Sequence, residues 1–296
     1  MKSVRERLVH LHHCRGIGWK SIFYLLKHDK TLLSIYDLTP KTIKKLLPIP
    51  EKQLNLFIND LHSIKIQSML KKYNENNIHV MTIFDKQYPS LLKQIYDPPW
   101  VIYGKGNLKL LEEKKMISVV GTRKPSIYGL KSMNEILLPI IKNKWVIVSG
   151  LANGVDARAH QLAVSFNGKT IAVLPGGFNF IYPKNNQVLA EKIMKHHLLI
   201  SEYPPDHRVE KWQFPLRNRL ISGLSLGTII IEAKERSGSL ITADQALEQG
   251  REVFAVPGSI FEDTNRGTNR LIQQGAKLVL NSDDIFEEFC YVNHQV

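Results

Sequence analysis

MISVVGTRKPSIYG, residues 116–129, is the stretch on which the fold turns. Met116–Val120 is a short apolar run with two valines and an isoleucine, bounded by Gly121. A run this short, apolar on both alternating faces, reads as a strand buried inside a parallel sheet. Gly121 permits a sharp turn, Ser126 is placed to cap, and a helix is predicted from about Ile127. A helix N-terminus offers free N–H groups and a partial positive charge. Arg123 adds a planar cation that matches phosphate. The expectation is a phosphate site at a strand end, with a plain βα turn carrying an exposed arginine as the alternative.

The same rhythm spreads outward. Short Val/Ile-rich runs are predicted as strands at Val80–Ile83, Val101–Tyr103, Trp145–Ser149, Thr170–Leu174, Leu198–Ile200, Thr228–Glu232, Glu252–Ala255 and Lys277–Leu280. Helical patterns separate most of them. Strands alternating with helices imply an α/β fold, Rossmann-like, with a mainly parallel sheet covered on both faces. Ligands of such sheets sit beyond the carboxyl ends of the strands. Residues 1–75 differ: Leu and Ile recur at helical spacing with no sustained alternation, so a small all-α domain is expected there, ahead of the α/β domain at 76–296. Gly16-Ile17-Gly18 lies between two of its helical stretches. It reads either as the hairpin of a helix-hairpin-helix (or SAM-like) module, whose backbone amides contact phosphates, or as a tight turn in a small bundle.

Four further loops follow predicted strands. Residues 149–156, SGLANGVD, hold Gly150 and Gly154, which allow close backbone approach to a ligand. Asp156 is placed to cap a helix from Ala157, with His160 one turn on; no serine or cysteine nucleophile motif accompanies the pair, so it is not read as catalytic. Residues 175–186, PGGFNFIYPKNN, interleave aromatics with Gly, Asn and Lys184, a composition suited to stacking on unpaired bases. In 211–222, KWQFPLRNRLIS, Pro215 suits a first helical turn, and Leu216, Leu220, Ile221 and Leu224 form the apolar arc. Arg217 falls inside that arc and needs an anionic partner, either an internal carboxylate such as Glu202 or Glu232, or a bound phosphate. Lys211 and Arg219 are expected to face the ligand, beside Phe214 and Asn218. Residues 233–242, AKERSGSLIT, carry Ser237 and Ser239 at a helix start, with Ser239 as the expected cap and Gly250 ending that helix. Gly267-Thr268-Asn269 is expected to open one more helix.

The charge balance points the same way. There are 40 Lys and Arg against 27 Asp and Glu, and residues 1–80 alone hold 14 basic against 6 acidic residues. Net positive charge favours polyanions, through steering and counterion release. Nucleic acid or an anionic membrane surface are the usual partners. No apolar run approaches the ~20 residues that span a bilayer. The basic N-terminal stretch lacks the apolar core of a signal peptide. Cys14 and Cys290 are the only cysteines, so a reducing cytoplasm is expected and no disulfide framework. The sequence shows no Gly-x-Gly-x-x-Gly after a strand, no phosphate-binding Walker loop, no Gly-x-Ser-x-Gly elbow, no zinc spacing and no paired carboxylates for two metals. No catalytic residue, cofactor or metal is assigned, and the chain is read as a binding protein rather than an enzyme.

In their order along the chain, VVGTRKPSIYG (119–129), SGLANGVDARAH (149–160), AVLPGGFNFIYPKNN (172–186), SEYPP (201–205), FPLRNRLISGLS (214–225), IIIEAKERSGSLITADQALEQGR (229–251), VFAVPG (253–258) and GTNRLIQQGAKLV (267–279) resemble the DNA-processing protein A (DprA/Smf) family. The resemblance implies an extended Rossmann fold that binds single-stranded DNA, helps load the RecA recombinase in natural transformation, and forms homodimers without known catalysis. It implies DNA contact at Gly121, Thr122 and Arg123, at Lys184 after Tyr182-Pro183, and less securely at Lys211 and Phe214. The loop readings add Gly150, Arg217, Asn218, Arg219, Ser237 and Ser239. Family members with a C-terminal winged helix differ from this sequence, in which none is expected.

Two rivals stay in view. A lysine-decarboxylase-like phosphoribohydrolase would share the fold, but its Pro-Gly-Gly-x-Gly-Thr loop is broken here, where Pro175-Gly176-Gly177 runs on as Phe-Asn-Phe. A nucleotide-sensing regulatory module would need a mononucleotide rather than a strand.

Overall fold

The computed structural model describes residues 3–292, which fall into two compact units, residues 3–88 with 97–104 and residues 89–96 with 105–292. The change from helix to strand texture at residue 76 thus lies inside the first unit, which continues through its strands.

The first unit comprises α1 (Val4–His13), α2 (Trp19–His28), α3 (Pro40–Leu46), α4 (Glu51–Ser63) and α5 (Ile66–Glu75), followed by β1 (Ile78–Thr82) and β2 (Val101–Gly106). Leu8, Leu11, Ile22, Leu25, Ile43, Leu54, Phe57 and Leu61 are buried between the helices at three- and four-residue spacings. The turn after α1 is tied down by Asp60, whose carboxylate accepts the Arg15 backbone N–H at 2.9 Å and its guanidinium at 2.7 Å. Gly16 has a φ of +81°, and a Cβ there would stand 2.1 Å from the Gln53 carbonyl oxygen. Only glycine fits that position.

The second unit holds α6 (Ser90–Lys93), β3 (Met116–Val120), α7 (Ile127–Lys142), β4 (Val146–Ser149), α8 (Val155–Ser165), β5 (Lys169–Leu174), α9 (Gln187–His196), β6 (Leu198–Ser201), α10 (Gln213–Gly223), β7 (Gly227–Ile230), α11 (Gly238–Glu248), β8 (Glu252–Ala255), α12 (Asp263–Gln273), β9 (Lys277–Leu278) and α13 (Asp283–Val292). Its strands lie in the order β6-β5-β4-β3-β7-β8-β9, all parallel. This is the extended Rossmann-like α/β arrangement expected from the sequence.

Alternation explains why the strands look apolar throughout. Ile117, Val119, Ile147, Ile229, Ile231 and Phe254 join Met133, Leu137, Ile140 of α7, Leu162 of α8 and Phe289 of α13 in one core. The intervening positions are equally buried beneath α10 and α11, and their polar members find partners. Ser118 Oγ lies 2.7 Å from Thr228 Oγ1, and Ser149 Oγ donates to the Val119 carbonyl at 2.6 Å. Among the described residues, no helix is long and apolar enough to cross a membrane.

The strand order has one reversal. The chain runs outward from β3 through β4, β5 and β6, then returns to the other side of β3 for β7, β8 and β9. The loops after β3 and β7 therefore diverge from the same place, the switch point at which such sheets open a crevice.

Candidate nucleic-acid interface

A cleft of about 360 Å³ opens at this switch point. Its floor is the turn after β3. Thr122 N–H donates to the Glu232 carbonyl at 2.8 Å, and Val155 N–H donates to the Thr122 carbonyl at 3.1 Å, so loops after three strands are stitched together. Gly154 makes this possible: its φ is +80°, and a Cβ would meet the Thr122 carbonyl oxygen at 2.4 Å. Ser126 caps α7 as expected, accepting from Gly129 N–H at 3.0 Å. Its own hydroxyl and amide donate to the buried Glu232 carboxylate at 2.6 and 2.9 Å. Glu232 is thus occupied with loop geometry and is not the partner of Arg217.

Arg217 is buried and donates to the backbone carbonyls of Gly150 and Val173, the latter at 2.7 Å. Its Nε donates to Asn218 Oδ1 at 3.1 Å. Burial lowers its pKa to about 10, opposed by the Asp156 charge, so it stays cationic at neutral pH. Gly150 is required because any Cβ would lie 2.4 Å from the guanidinium. Asp156, in the first turn of α8, is not the cap, which is Gly154. It accepts Gly150 N–H at 3.1 Å, and burial raises its pKa against the pull of Arg217. His160 goes elsewhere: its Nδ1 lies 2.6 Å from Thr170 Oγ1. Because that hydroxyl donates to the Ile147 carbonyl at 2.7 Å, the imidazole Nδ1 must be the donor. Burial lowers its pKa to about 3, which keeps the ring neutral. The Asp156/His160 pair is not a catalytic dyad.

Of the residues singled out from sequence, Gly121, Thr122, Arg123, Phe214, Arg217, Asn218, Ser237 and Ser239 line the cleft. Gly150 lines a small adjoining hollow with Arg123, Tyr182 and Phe214. Tyr182 and Phe214 meet edge to face with centroids 5.6 Å apart. Lys184 and Lys211 are exposed and outside the cleft lining. Arg219 is a correction. It was expected on the ligand side, but its side chain is 8% exposed and ion-paired to Glu202 at 2.5 Å. The helical wheel misleads here because α10 is covered on more than its apolar arc: Ser222 is buried as well, while Leu216 is 39% exposed.

Two cations escaped the sequence selection. Lys234 and Arg236, both exposed, line the cleft from the loop after β7, facing Arg123 from the loop after β3. Their position in a strand-end loop was the available signal. That loop ends at Ser237, the N-cap residue of α11, whose hydroxyl lies 2.7 Å from that of Ser239; the cap is therefore two residues earlier than expected. Gly267 also lies inside α12 rather than at its start, where its amide donates to the Ala233 carbonyl at 2.8 Å and braces the same loop.

The Pro175-Gly176-Gly177 loop is closed. Gly177 N–H donates to the His207 carbonyl at 2.9 Å, and a Cβ on Gly177 would lie 2.1 Å from the Pro205 carbonyl oxygen. Its amide is consumed internally and is not available to a ligand. Phe178 is buried below it, whereas Phe180 is exposed with Arg208 stacked 5.4 Å from its centroid.

Chemically, the cleft offers three exposed cations, the first turn of α11, small hydroxyls and an aromatic edge. It can hold a phosphodiester backbone and stack bases. Among the described residues, no cluster of three or more His, Cys, Asp or Glu is placed to hold a metal.

A model of the family described as DNA recombination-mediator protein A matches residues 79–290. The chain is 52% identical over 224 residues to the DNA processing protein DprA of Bacillus subtilis, covering 76% of this chain and 75% of that one. It superposes on the X-ray structure of DprA from Streptococcus pneumoniae with a TM-score of 0.83 at 38% identity, covering 96% and 97% of the two chains. A DprA structure from Helicobacter pylori, reported for its single-stranded DNA binding mode, matches with a TM-score of 0.64 at 32% identity, over 72% and 96%.

Proposed function

The chain belongs to the DNA recombination-mediator protein A family, and from that premise we propose that it binds single-stranded DNA in the switch-point cleft and passes the strand to the RecA recombinase. The observation that carries this reading is the convergence of exposed Arg123, Lys234 and Arg236 from two strand-end loops onto one cleft bordered by Phe214. Cations on opposite walls suit a phosphate chain, and the aromatic edge of Tyr182 and Phe214 suits unpaired bases. Lys184 and Lys211 extend the positive surface beyond the cleft. The buried Arg217 acts indirectly, by holding the loop after β4 in place. Recombinase delivery, homodimer formation and a cytoplasmic site of action follow from membership of the family and complete the proposal; no chemical step is assigned to the chain.

The test is fluorescence anisotropy with a labelled oligothymidylate and a duplex of equal length, across a salt series. Native protein is expected to prefer the single strand. Affinity is expected to fall with salt by about 0.7 log units per log unit for each phosphate held. Arg123→Ala and Arg236→Ala are each expected to weaken binding and to flatten that slope by about one contact. Equal affinity for duplex and single strand, or undiminished binding in both variants, overturns the proposal. Release of free base from nucleoside monophosphates would restore the phosphoribohydrolase reading instead.

A further inference from the structure

Asn265 is the third residue of α12, a place where asparagine is a weak helix former. It is 3% exposed, and its side-chain oxygen has no hydrogen-bond partner among the described residues. The fold nevertheless makes room for this amide. A Cβ on Gly258 would stand 2.2–2.6 Å from the Asn265 amide carbon, nitrogen and oxygen, and these are the three atoms nearest to it. Gly258 is bonded to a different residue: its N–H donates to Asn269 Oδ1 at 3.1 Å, and its carbonyl accepts from Asn269 Nδ2 at 3.0 Å. A buried amide oxygen without a donor is unusual unless something outside the chain supplies one.

Asn265 lines a hollow of about 730 Å³, separate from the cleft, between the start of α7 and the loop after β8. Ile127, Tyr128 and Pro257 are its apolar walls. We infer that this hollow takes one unpaired base of the bound single strand, with the Asn265 amide reading the base edge. The inference rests on the strand binding proposed above and adds a base site to it.

The chemistry of the walls selects the ligand. Among the described residues that line the hollow none is a lysine or arginine, and Glu262 is one of them. A phosphate is poorly served there, in contrast to the cleft with Arg123, Lys234 and Arg236. An uncharged group with an N–H donor suits the Asn265 oxygen. A nucleobase edge carries a donor and an acceptor side by side, the pattern an asparagine amide matches with two hydrogen bonds to adenine. Thymine presents the same pair through N3–H and O4. Tyr128 supplies the flat wall. It is 46% exposed, and its hydroxyl is fixed by donating to the Pro257 carbonyl. A ring already held in place needs little further ordering to stack on a base.

The two sites share a loop. Arg123 lines the cleft and Ser126 lines the hollow. Three residues separate them, so their Cα atoms are at most about 11 Å apart. Exposed Lys124 lies between them and offers a cation to the intervening backbone. A strand with one phosphate at Arg123 thus has the hollow within reach of its next few nucleotides. A duplex, whose base edges are already paired, has nothing to offer Asn265.

The test uses the full chain and oligothymidylates that carry 5-iododeoxyuridine at successive positions. Irradiation links that base to an aromatic ring in contact with it, and mass spectrometry identifies the ring. A crosslink at Tyr128 is expected, beside those at Tyr182 and Phe214 of the cleft. Asn265→Leu keeps the volume and removes the amide. It is expected to abolish the Tyr128 crosslink and to weaken binding about five-fold. The salt slope should stay native because no phosphate contact is lost. The melting temperature should not fall, because the amide oxygen has no internal partner to lose. Tyr128→Leu is expected to weaken binding by a similar factor. Crosslinks confined to Tyr182 and Phe214 overturn the base site and leave the cleft standing, whereas crosslinks at Tyr128 alone keep the base site and remove the cleft. Native affinity in Asn265→Leu with a lower melting temperature makes the amide structural and overturns the inference.

Discussion

Replacing Arg217 with methionine keeps most of the aliphatic volume and removes the guanidinium. Two hydrogen bonds to the Gly150 and Val173 carbonyls disappear, leaving both acceptors buried. Hydrogen bonds from a charged donor contribute about 1.5–3 kcal/mol each. The buried Asp156 also loses the positive charge that opposes the burial-driven rise of its pKa. From the two hydrogen bonds, a loss of about 3–5 kcal/mol is expected in urea unfolding monitored by circular dichroism. Asp156 should then be driven further toward its neutral form, so the double variant with Asp156→Asn should recover part of the loss, a coupling of about 1–3 kcal/mol. A loss below about 1 kcal/mol with an unchanged urea slope would refute this assignment and return Arg217 to the ligand.

Arg219→Met breaks the ion pair with Glu202, where both side chains are largely buried; stability should fall by about 3–5 kcal/mol, while anisotropy of the folded protein should show native affinity for single-stranded DNA. Gly154→Ala forces a Cβ onto the Thr122 carbonyl at a φ of +80° and is expected to destabilise by about 1–3 kcal/mol or more, read as a lower melting temperature. For His160, the folded pKa of about 3 lies below the unfolded 6.5, so the unfolded chain binds the extra proton between those values. Stability from this group is complete above pH 6.5 and is lost as pH falls toward 3, at up to about 1.4 kcal/mol per pH unit. His160→Gln should flatten the acid limb of a stability-versus-pH curve; an unchanged limb would show that the ring does not titrate on unfolding.

The sheet was legible because its strands are buried on both faces, which leaves uninterrupted apolar runs such as Met116–Val120 between glycines and caps. The cleft was legible for a related reason: residues that must turn a chain at a strand end, such as Gly121, and residues that serve a ligand, such as Arg123, stand side by side in the sequence. What was hidden depends on tertiary partners. A wheel drawn for α10 assumes one buried face, so it could not show Arg219 turned inward to Glu202, seventeen positions earlier in the chain. Nor could it offer the Gly150 and Val173 carbonyls as partners of Arg217, because backbone acceptors carry no residue signature. Lys234 and Arg236 carry no sequence signal that sets them apart from other loop cations; the sheet's reversal at β3 and β7 is what brings them into one cleft with Arg123. The capping positions fall two residues before Asp156 and Ser239, at Gly154 and Ser237, and neither makes a side-chain cap hydrogen bond that the sequence pattern could have pinned.

The most direct test of the central claim is amide hydrogen exchange of the native chain with and without a short oligothymidylate that spans only a few nucleotides. Slowed exchange at residues 121–126 and 234–239, on the two walls of the switch-point cleft, is the predicted result. Protection absent from both loops, with binding nonetheless demonstrated by anisotropy, would contradict it and move the DNA to another surface.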